Sequence, residues 1–556
     1  MNLQGRIFVV HGDVSRLCVD AIVVPTSTQL AGKGGVATAV KARWVEYAQW
    51  YRGLGSLELE QSVWFKLDGG RGQPAGIVTT CVTGAATLAP RAALATALSA
   101  TRGALRTARE HLPGDYCAVA VPGFLTGEGG HDTRPAAVVR AQMAGALEAI
   151  EEAQSEGVVL DVTFVAFTPQ LARIYRQVRR EAQPARPPID PTLATALQRR
   201  GCALVVGAGM SLQSGFPTWD GLLNAMDAGQ AATPVERADS IPGGRTKITE
   251  VIQRIFVTEA AARLPTAAHY LLASLSGRLL LTTNYDELLE QALRAQNRPH
   301  AKIARAEDVK SIASHWSTSV VKLHGDATSP GDVVLTSKDY DEFDSKRAAM
   351  SLVLEEALLT HTLLFVGYGL GDADFHGLSQ RVSNRLKTVK QDGYAVLFAD
   401  EQKQKEMDLH SGHEIRTLTL PSEKDPKHKS AQMLRFLDDL SESVQTDPLH
   451  LLGRDEEEIK LPESLAAMAD SLRSAADAAA KISIQNPSEA RTLLAIIDLA
   501  AKLGWRPAAP DRLSRVYADI ANALPEPSFE RDRCRAFAES HLPRSSLPSS
   551  GAIPLS

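Results

Sequence analysis

Two side chains in the middle of the chain have the chemistry to take part in making and breaking bonds. Asn284 stands in the run Thr-Thr-Asn-Tyr-Asp, and its amide can orient a hydroxyl group or a water molecule. His324 stands in Lys-Leu-His-Gly, and an imidazole with its usual pKa of about 6.5 can accept a proton at cellular pH. Taken alone, the first run also fits an Asx turn or helix cap with Asp286 in that role, and a lone histidine is more often a satisfied core group.

Two glycine-rich turns accompany these residues. Gly207 and Gly209 stand between a strand-like and a helix-like run, where backbone without Cβ atoms can approach a phosphate closely. A tight turn without a ligand explains a single Gly-x-Gly about as well, and Ser211-Leu212 occupies the third-glycine place of the dehydrogenase fingerprint. The run Gly-Tyr-Gly-Leu-Gly-Asp-Ala-Asp at 367–374 permits a similar approach, while its carboxylates could receive ribose hydroxyls or cap the next helix.

These segments must be positioned by the elements that precede them. Short apolar runs alternate with helical patterns between residues 192 and 425, which indicates a parallel sheet with helices on both faces. Ligands of such sheets bind at the carboxyl ends of the strands. The motifs fall at those ends, and the predicted strands are Ala203 to Val206, Leu279 to Thr282, Ser319 to Leu323, Thr362 to Val366 and Tyr394 to Phe398.

Composition is that of an ordinary globular protein of about three domains. Of the 556 residues 44% are hydrophobic and 22% charged, and a net charge of -5 gives no general attraction for nucleic acid or anionic membranes. No apolar run approaches the roughly 20 residues of a membrane helix and the start lacks a secretory signal pattern, so we expect a cytoplasmic protein. Five scattered cysteines without a Cys-x-x-Cys pair argue against disulfides and structural zinc, and we expect no metal.

Prolines divide the chain into regions. Four prolines between Gln183 and Pro191 cannot continue a helix, so we place a linker there, after a first α/β/α domain at 1–182. The parallel-sheet domain covers 192–425. Residues 430–542 have the pattern of four or five helices and are predicted to be all-α, with a disordered Ser- and Pro-rich tail at 543–556.

The central motifs resemble those of the sirtuin-like family in type and order. Gly-Ala-Gly-Met-Ser at 207–211 is similar to its Gly-Ala-Gly-x-Ser loop, Thr-Asn-Tyr-Asp at 283–286 to its Gln-Asn-x-Asp segment, and Leu-His-Gly at 323–325 to its catalytic His-Gly. Phe-Pro-Thr-Trp at 216–219 and the second glycine-rich run look like the bacterial branch that depletes NAD in antiphage defence. The family's zinc module needs two Cys-x-x-Cys pairs, which this sequence lacks, so NAD cleavage is expected in place of protein deacylation.

The resemblance implies a Rossmann-like domain that takes NAD as its substrate and hydrolyses it to nicotinamide and ADP-ribose. Asn284 would position the nicotinamide ribose and the attacking water, and His324 would act as general base. The implied NAD-binding residues are Gly207, Ala208, Gly209, Ser211, Thr218, Asp286, Gly367, Gly369 and Asp372.

The first domain resembles the macro domain, which binds ADP-ribose and related nucleotides. The matching runs are His-Gly-Asp-Val at 11–14, Val-Asp-Ala-Ile-Val at 19–23, Gly-Gly-Val at 34–36 and the glycine-rich loop 123–130. Asp13 would receive the adenine amino group, and backbone N–H groups would wrap the diphosphate at Gly34, Gly35, Val36, Thr126, Gly127 and Gly129. Simple turn geometry is the alternative for these glycines. Pro-Thr-Ser-Thr at 25–28 replaces the Asn-Ala-Ala-Asn pattern of macro-domain hydrolases, which favours a binding role.

A nucleotide-binding domain joined to an NAD-cleaving one suggests regulation. The resemblance to the sirtuin-like effectors of the Thoeris antiphage system implies a nucleotide signal and a TIR-type protein that makes it. We expect an ADP-ribose-derived signal to bind the first domain and to bias a homo-oligomer toward an active arrangement. A TIR-type or phage-sensing protein is the expected further partner. An NAD-dependent protein ADP-ribosyltransferase with an attached ADP-ribose reader is the alternative, and a non-catalytic nucleotide sensor is a third hypothesis. The sequence leaves a linear or a cyclic product open.

Overall fold

A computed structural model divides the chain into two compact units, Met1–Gln445 and Thr446–Ser556. The described residues are 4–30, 35–84, 88–125, 135–183, 189–199, 201–231, 233–277, 279–313, 318–368, 393–399, 415–444, 486–502 and 510–524, with isolated positions between 467 and 484 and at 531 and 534.

The N-terminal residues of the first unit form a six-stranded sheet. Its strands are β1 Ile7–His11, β2 Ala21–Ser27, β3 Ser62–Lys66, β4 Gly76–Thr83, β5 Tyr116–Pro122 and β6 Val159–Ala166. They pair in the order β1-β6-β5-β2-β4-β3, and all pairs are parallel except that of β3 with β4. The parallel pairs require crossover connections, which helices provide.

Helices cover both faces of this sheet. They are α1 Gly35–Arg43, α2 Val45–Gly53, α3 Pro90–His111, α4 Pro135–Ser155 and α5 Pro169–Ala182. Because successive strand residues point to opposite faces, Ile7 and Val9 pack in one cluster with α3, α4 and α5, whereas Val10 packs in another with α1 and α2. The predicted α/β/α arrangement of this region is confirmed.

The central residues form a second, seven-stranded sheet. Its strands are β7 Cys202–Val206, β8 Leu279–Thr282, β9 His300–Ile303, β10 Thr318–Lys322, β11 Thr362–Val366, β12 Gly393–Phe398 and β13 Ile415–Leu420. Every pair in the order β13-β12-β11-β7-β8-β10-β9 is parallel. The five predicted strands are present, and the two that were not predicted, β9 and β13, lie at the edges.

Helices and short turns connect these strands. The helices are α6 Pro191–Gln198, α7 Trp219–Ala225, α8 Pro234–Asp239, α9 Gly244–Gln253, α10 Ala267–Leu275, α11 Leu288–Ala295, α12 Ser337–Asp341, α13 Phe343–Lys346, α14 Ala348–Thr360 and α15 Pro426–Val444. Shorter 3-10 turns span Ala208–Ser211, Glu259–Ala262, Ala306–Ala313 and Pro330–Asp332, and a π-helical turn spans Arg254–Thr258. A further 3-10 turn, Val14–Arg16, lies between β1 and β2 of the N-terminal sheet. Several helices begin at threonine caps that accept a backbone N–H of the first turn, namely Thr218, Thr233 and Thr336.

One hydrophobic cluster joins the two sheets. It contains Val10 of β1 and Leu204 of β7, together with Tyr270 of α10 and Leu437 of α15. The sequence pattern predicts a separate helical region at 430–542. Instead, α15 belongs to the first unit, because its apolar side packs in this shared cluster.

Buried ion pairs also hold α15 against the N-terminal sheet. Arg435 of α15 binds both carboxylate oxygens of Asp161 on β6, at 2.7 and 2.8 Å. Arg179 of α5 contacts Asp438 of α15 at 3.0 Å and also pairs with Glu442. Asp161 and Asp438 are almost fully buried, so their charges need compensation, which Arg435 supplies to Asp161 and which Arg179 and Arg6 supply to Asp438.

The second unit is helical in its described part. Its helices are α16 Pro487–Lys502 and α17 Pro510–Ala523, and each begins at a proline, as the sequence indicated. Ile497 of α16 and Ile520 of α17 are fully buried in one small cluster. Among all the helices described, none is both long and apolar enough to span a membrane.

We predict that Arg435→Met lowers the free energy of unfolding of the first unit by about 3–5 kcal/mol, because it leaves Asp161 buried without its partner. Arg102→Met is the matched control, since Arg102 pairs with Glu148 and Glu152 at the surface, and it should lower the free energy of unfolding far less. Urea unfolding of the three proteins measures both values. Equal midpoints for both variants would contradict a stabilising role for the buried pair.

Candidate functional site

Four strand ends of the central sheet are level with one another. Val206 of β7 pairs with Thr282 of β8, Thr282 pairs with Lys322 of β10, and Val366 of β11 pairs with Val206. Because the strands are parallel, the residues that follow these positions lie along a single edge of the sheet. That edge carries Gly207, Asn284, His324 and Gly367, which are four of the predicted site residues.

Three glycines allow the loops after β7 and β11 to lie in contact. The N–H of Gly207 donates to the Val366 carbonyl at 2.9 Å, and the N–H of Gly209 donates to the Gly367 carbonyl at 2.8 Å. A Cβ at Gly207 or Gly209 would stand 2.7 Å from the Gly367 oxygen, and Gly367 itself has a φ of +70°. The sequence pattern suggested that these amides approach a phosphate. Both are instead bonded within the protein, and the glycines are required first for this loop contact.

The Asn284 side chain has a fixed orientation. Its Nδ2 donates to the Gly207 carbonyl and to the Ser211 hydroxyl, each at 3.1 Å. A carbonyl oxygen cannot donate, so the nitrogen must face Gly207 and Oδ1 must point the other way. Among the described residues, the buried Oδ1 has no hydrogen-bond partner. It can therefore accept an O–H group from a bound molecule.

Asp286 completes the support of this amide. Its Oδ2 accepts the Ser211 hydroxyl at 2.8 Å, and its Oδ1 accepts the backbone N–H of Leu288 at 3.0 Å, where α11 begins. Asp286 thus forms the Asx turn that the sequence allowed and also directs the Ser211 lone pairs toward Asn284. The hydroxyl of Thr282 adds a further contact by accepting the backbone N–H of Asn284 at 3.0 Å.

His324 leaves the neighbouring strand at the same level. Its side chain is 3% exposed, and its ring meets the Tyr340 ring edge to face at 5.6 Å and 87°. The N–H of Leu323 donates to the Thr282 carbonyl at 2.8 Å, which extends the strand pairing up to the histidine. Gly325 follows with a φ of +85°, so the chain turns away immediately after the imidazole.

The other predicted residues of the central domain have capping or turn positions, or lie outside the described part of the chain. Thr218 is exposed and caps α7 by accepting the N–H of Gly221 at 3.0 Å, which is a structural role. Ala208 lies on the turn between Gly207 and Gly209, at the rim of the site. Gly369 and Asp372 lie outside the described residues.

The predicted nucleotide site of the first domain is described only in part. Asp13 follows β1, and its Oδ1 accepts the backbone N–H and the hydroxyl of Ser15 at 2.9 and 2.7 Å, which caps a short turn. Gly35 and Val36 begin α1. The remaining predicted residues lie outside the described part of the chain, namely Gly34, Thr126, Gly127 and Gly129.

Sequence reasoning missed three side chains at these two edges. Phe167 follows β6 directly and is 70% exposed. The N–H of Gly12 donates to the carbonyl of Ala166 at 2.9 Å. This bond joins the residue before Asp13 to the residue before Phe167, so the ends of β1 and β6 bring Phe167 near Asp13. A large aromatic residue directly after a buried strand was the available signal. Tyr340 beside His324 and the Thr282 hydroxyl under Asn284 had no local signal, because their contacts depend on the sheet.

Within the described residues, no group of three or more His, Cys, Asp or Glu side chains is placed to hold a metal ion. A parallel sheet whose level strand ends carry glycine loops, a fixed amide and an imidazole is a Rossmann-like fold, in which ligands bind at the carboxyl ends of the strands.

Comparison with known proteins agrees with this class. A family model described as a SIR2-like domain matches residues 278–418. The chain is 26% identical over 238 residues to "NAD(+) hydrolase ThsA" of Bacillus cereus, a match that covers 40% of this chain and 48% of that protein. It is 29% identical over 197 residues to "NAD(+) hydrolase ThsA" of Cytobacillus dafuensis, which covers 34% and 39%. The sirtuin-like resemblance of the central region is thereby confirmed.

The matches cover part of each relative. The chain spans less than half the length of the hydrolases it matches, and 20% of "Defense-associated sirtuin 2" of Bacillus subtilis at 27% identity, a match that takes up 35% of this chain. Among solved structures, a macrodomain of Oceanobacillus iheyensis is 19% identical, with a TM-score of 0.27, over 33% of this chain and 95% of that one.

Proposed function

We propose that the protein is an NAD glycohydrolase that cleaves NAD to nicotinamide and ADP-ribose. The observation that carries this proposal is the buried Oδ1 of Asn284, at the strand end beside that of His324. This oxygen has no hydrogen-bond partner in the part of the chain that the structure describes. An amide oxygen held in this way accepts an O–H of the nicotinamide ribose or of a water molecule and so orients it. The turn at the half-buried Ala208 and the exposed Gly209 is the proposed contact of the diphosphate.

The reaction balances without a further reactant. The bond between the ribose C1′ and the nicotinamide nitrogen breaks, and its electron pair neutralises the pyridinium charge of the leaving group. Water adds to C1′ of the resulting oxocarbenium-like species, and His324 takes up the proton that the water releases before passing it to solvent. The products are nicotinamide, ADP-ribose and one proton.

Relatives with the printed name NAD(+) hydrolase support this activity, and the name of the Bacillus subtilis relative supports a role in defence. We therefore propose that the protein depletes NAD in the bacterial cytoplasm during phage infection. The alternative is an ADP-ribosyltransferase, in which a protein side chain replaces water as the nucleophile. It predicts that radiolabel from NAD remains on protein.

Asn284→Ala and His324→Ala should each reduce nicotinamide release at least about 100-fold, because one removes the orienting amide and the other the base. His300→Ala is the matched control. His300 lies in β9 of the same sheet, bonded to the Arg298 carbonyl at 3.0 Å, and its loss should leave turnover near that of the unmodified protein. Chromatography of nicotinamide and ADP-ribose measures all three. Turnover retained in both site variants would overturn the assignment.

We further propose that an ADP-ribose-type nucleotide on the first domain regulates this site, in a homo-oligomer and with an infection-sensing partner such as a TIR-type protein. The support lies in contacts of the segment that follows β1. The Tyr270 hydroxyl of α10 donates to the carbonyls of Asp13 and Arg16, at 3.3 and 3.0 Å. A Cβ at Gly12 would stand 2.0 Å from the Tyr270 ring. The proposed nucleotide site therefore touches a helix of the central domain directly.

A second set of contacts reaches the catalytic loop itself. The Ser214 carbonyl, three residues after Ser211, lies against Gly72 in the turn between β3 and β4, where a Cβ would be 2.1 Å away. Nearby, the N–H of Leu264 donates to the Gly72 carbonyl at 3.2 Å, and the Cys18 thiol lies 3.5 Å from the Gln213 carbonyl. A shift of the first domain would thus be felt at the loop that carries Ser211, the partner of Asn284.

Gly72→Ala should therefore weaken the response of NAD cleavage to ADP-ribose or cyclic ADP-ribose. Coupling between sites commonly changes binding affinity about 5- to 150-fold. In the variant we expect the nucleotide to change the rate of NAD cleavage less than about 2-fold. Gly157→Ala is the control, because Gly157 has the same φ of +78° but open space around its Cβ position. Nicotinamide release with and without nucleotide is the measurement. An identical response in both variants would contradict coupling through this contact.

A further inference from the structure

A buried lysine lies beneath the proposed catalytic pair. Lys322 is the last residue of β10, two positions before His324, and it has no solvent exposure. The residue types at positions 320, 321 and 323 are apolar, so a charged group stands here within a hydrophobic run. Burying a charge costs free energy unless partners compensate for it. The groups that compensate the buried charge of Lys322 therefore indicate the role of this residue.

The first partners belong to the chain that follows Asn284. The Lys322 ammonium donates to the Tyr285 carbonyl at 3.3 Å and also to the Asp286 carbonyl. These two peptide groups join Asn284 to α11. The lysine thus fixes the backbone on the far side of the proposed amide, while the Thr282 hydroxyl fixes the near side.

The second partner belongs to the chain that follows His324. Lys322 contacts Asp326 at 3.0 Å, and Asp326 in turn accepts the backbone N–H of Thr328 at 2.9 Å. Lys302 of β9 binds the same carboxylate at 3.0 Å from the other side. Lys322 is therefore bonded to both loops that carry the proposed catalytic residues, and in the Asn284 loop it holds the backbone carbonyls. Lys302 binds only side-chain carboxylates, those of Asp326 and Glu287.

Charge compensation keeps this group ionised. Burial opposes the ammonium charge, but Glu290 of α11, at 3.6 Å, and Asp326 outweigh it and raise the pKa of Lys322. Burial raises the pKa of Glu290, although Lys322 counteracts part of this. A well-packed apolar residue would serve stability equally well in many such positions. An apolar residue, however, could not bind the Tyr285 and Asp286 carbonyls or the Asp326 carboxylate, and so could not hold the two loops in place.

We propose that Lys322 is a positioning residue that sets the distance between the Asn284 amide and the His324 imidazole. The inference rests on the proposed NAD cleavage. One ammonium group would then align two loops whose proposed catalytic residues, Asn284 and His324, are 40 positions apart in the sequence. Its loss should lower kcat more than it changes KM, because substrate contacts stay in place while the reacting groups lose their alignment.

The test compares Lys322→Met with Lys302→Met in the full-length protein. We expect Lys322→Met to lower kcat about 10- to 100-fold with KM for NAD within about 3-fold of the unmodified value, since a misplacement of about 1 Å can cost 100-fold. Lys302→Met removes an equally long cation that binds Asp326 and Glu287 but neither of the two carbonyls, and its kcat should fall less than about 2-fold. Equal kcat values in the two variants would overturn the proposal.

A second variant guards against a folding defect. Lys322→Met leaves Glu290 buried without its cation, so Lys322→Met/Glu290→Gln removes both charges together and should recover the melting temperature. If the lysine acts by positioning, kcat stays low in this double variant. Recovery of kcat together with stability would assign Lys322 a purely structural role.

Hydrogen exchange separates this inference from the proposed activity. Peptides covering 283–287 and 323–328 should both exchange faster in the Lys322→Met/Glu290→Gln variant. In Lys302→Met the change at 283–287 should be much smaller, because Lys302 binds the Glu287 side chain there and neither of the two carbonyls. If the unmodified protein releases no nicotinamide, the proposed function fails and the exchange pattern alone decides the inference. Unchanged exchange at 283–287 in the double variant would then refute it.

Discussion

The parallel register of four neighbouring strands is the constraint on which the site depends. Because Val206, Thr282, Lys322 and Val366 are level, loops that are far apart in sequence begin at one edge of the sheet. A shift of one residue in any of these strands would move its loop by about 3.3 Å and reverse the faces of its side chains. The continuous apolar character of β7, β8 and β11 opposes such a shift by burial on both faces.

The packing between the two sheets gives the proposed regulation a physical basis. α10 and α15 contribute to a cluster that also contains strands of both sheets, and the ion pairs of Arg435 and Arg179 hold α15 against the N-terminal sheet. The cores of proteins are close-packed and transmit small displacements. The loop after β1 and the turn at Gly72 therefore lie where a ligand on the first domain would act on the loop of Ser211.

Much of this arrangement was predictable from the sequence, and the reasons for the exceptions are physical. Strands β7, β8 and β11 are largely apolar runs followed by polar or glycine residues, which mark both the strand and its proposed functional end. The edge strands β9 and β13 mix polar and apolar residues, as in His-Ala-Lys-Ile, and carry no such signal. The Lys-Leu-His-Gly run drew attention to His324, but the role of Lys322 depends on carbonyls that only the folded sheet brings near. Likewise, the sequence predicts α15 as a helix but not its place in the first unit, because that place depends on its ion pairs with β6 and α5.

The most direct test of the account is to incubate the purified full-length protein with NAD and to quantify nicotinamide and ADP-ribose, with and without ADP-ribose-type nucleotides. The account predicts that the two products form in equal amounts and that a nucleotide accelerates their release. Release without any response to nucleotides would retain the catalytic site and remove the proposed regulation. Absence of both products under every condition, or radiolabel from NAD that stays on protein, would contradict the assignment of Asn284 and His324 to NAD hydrolysis.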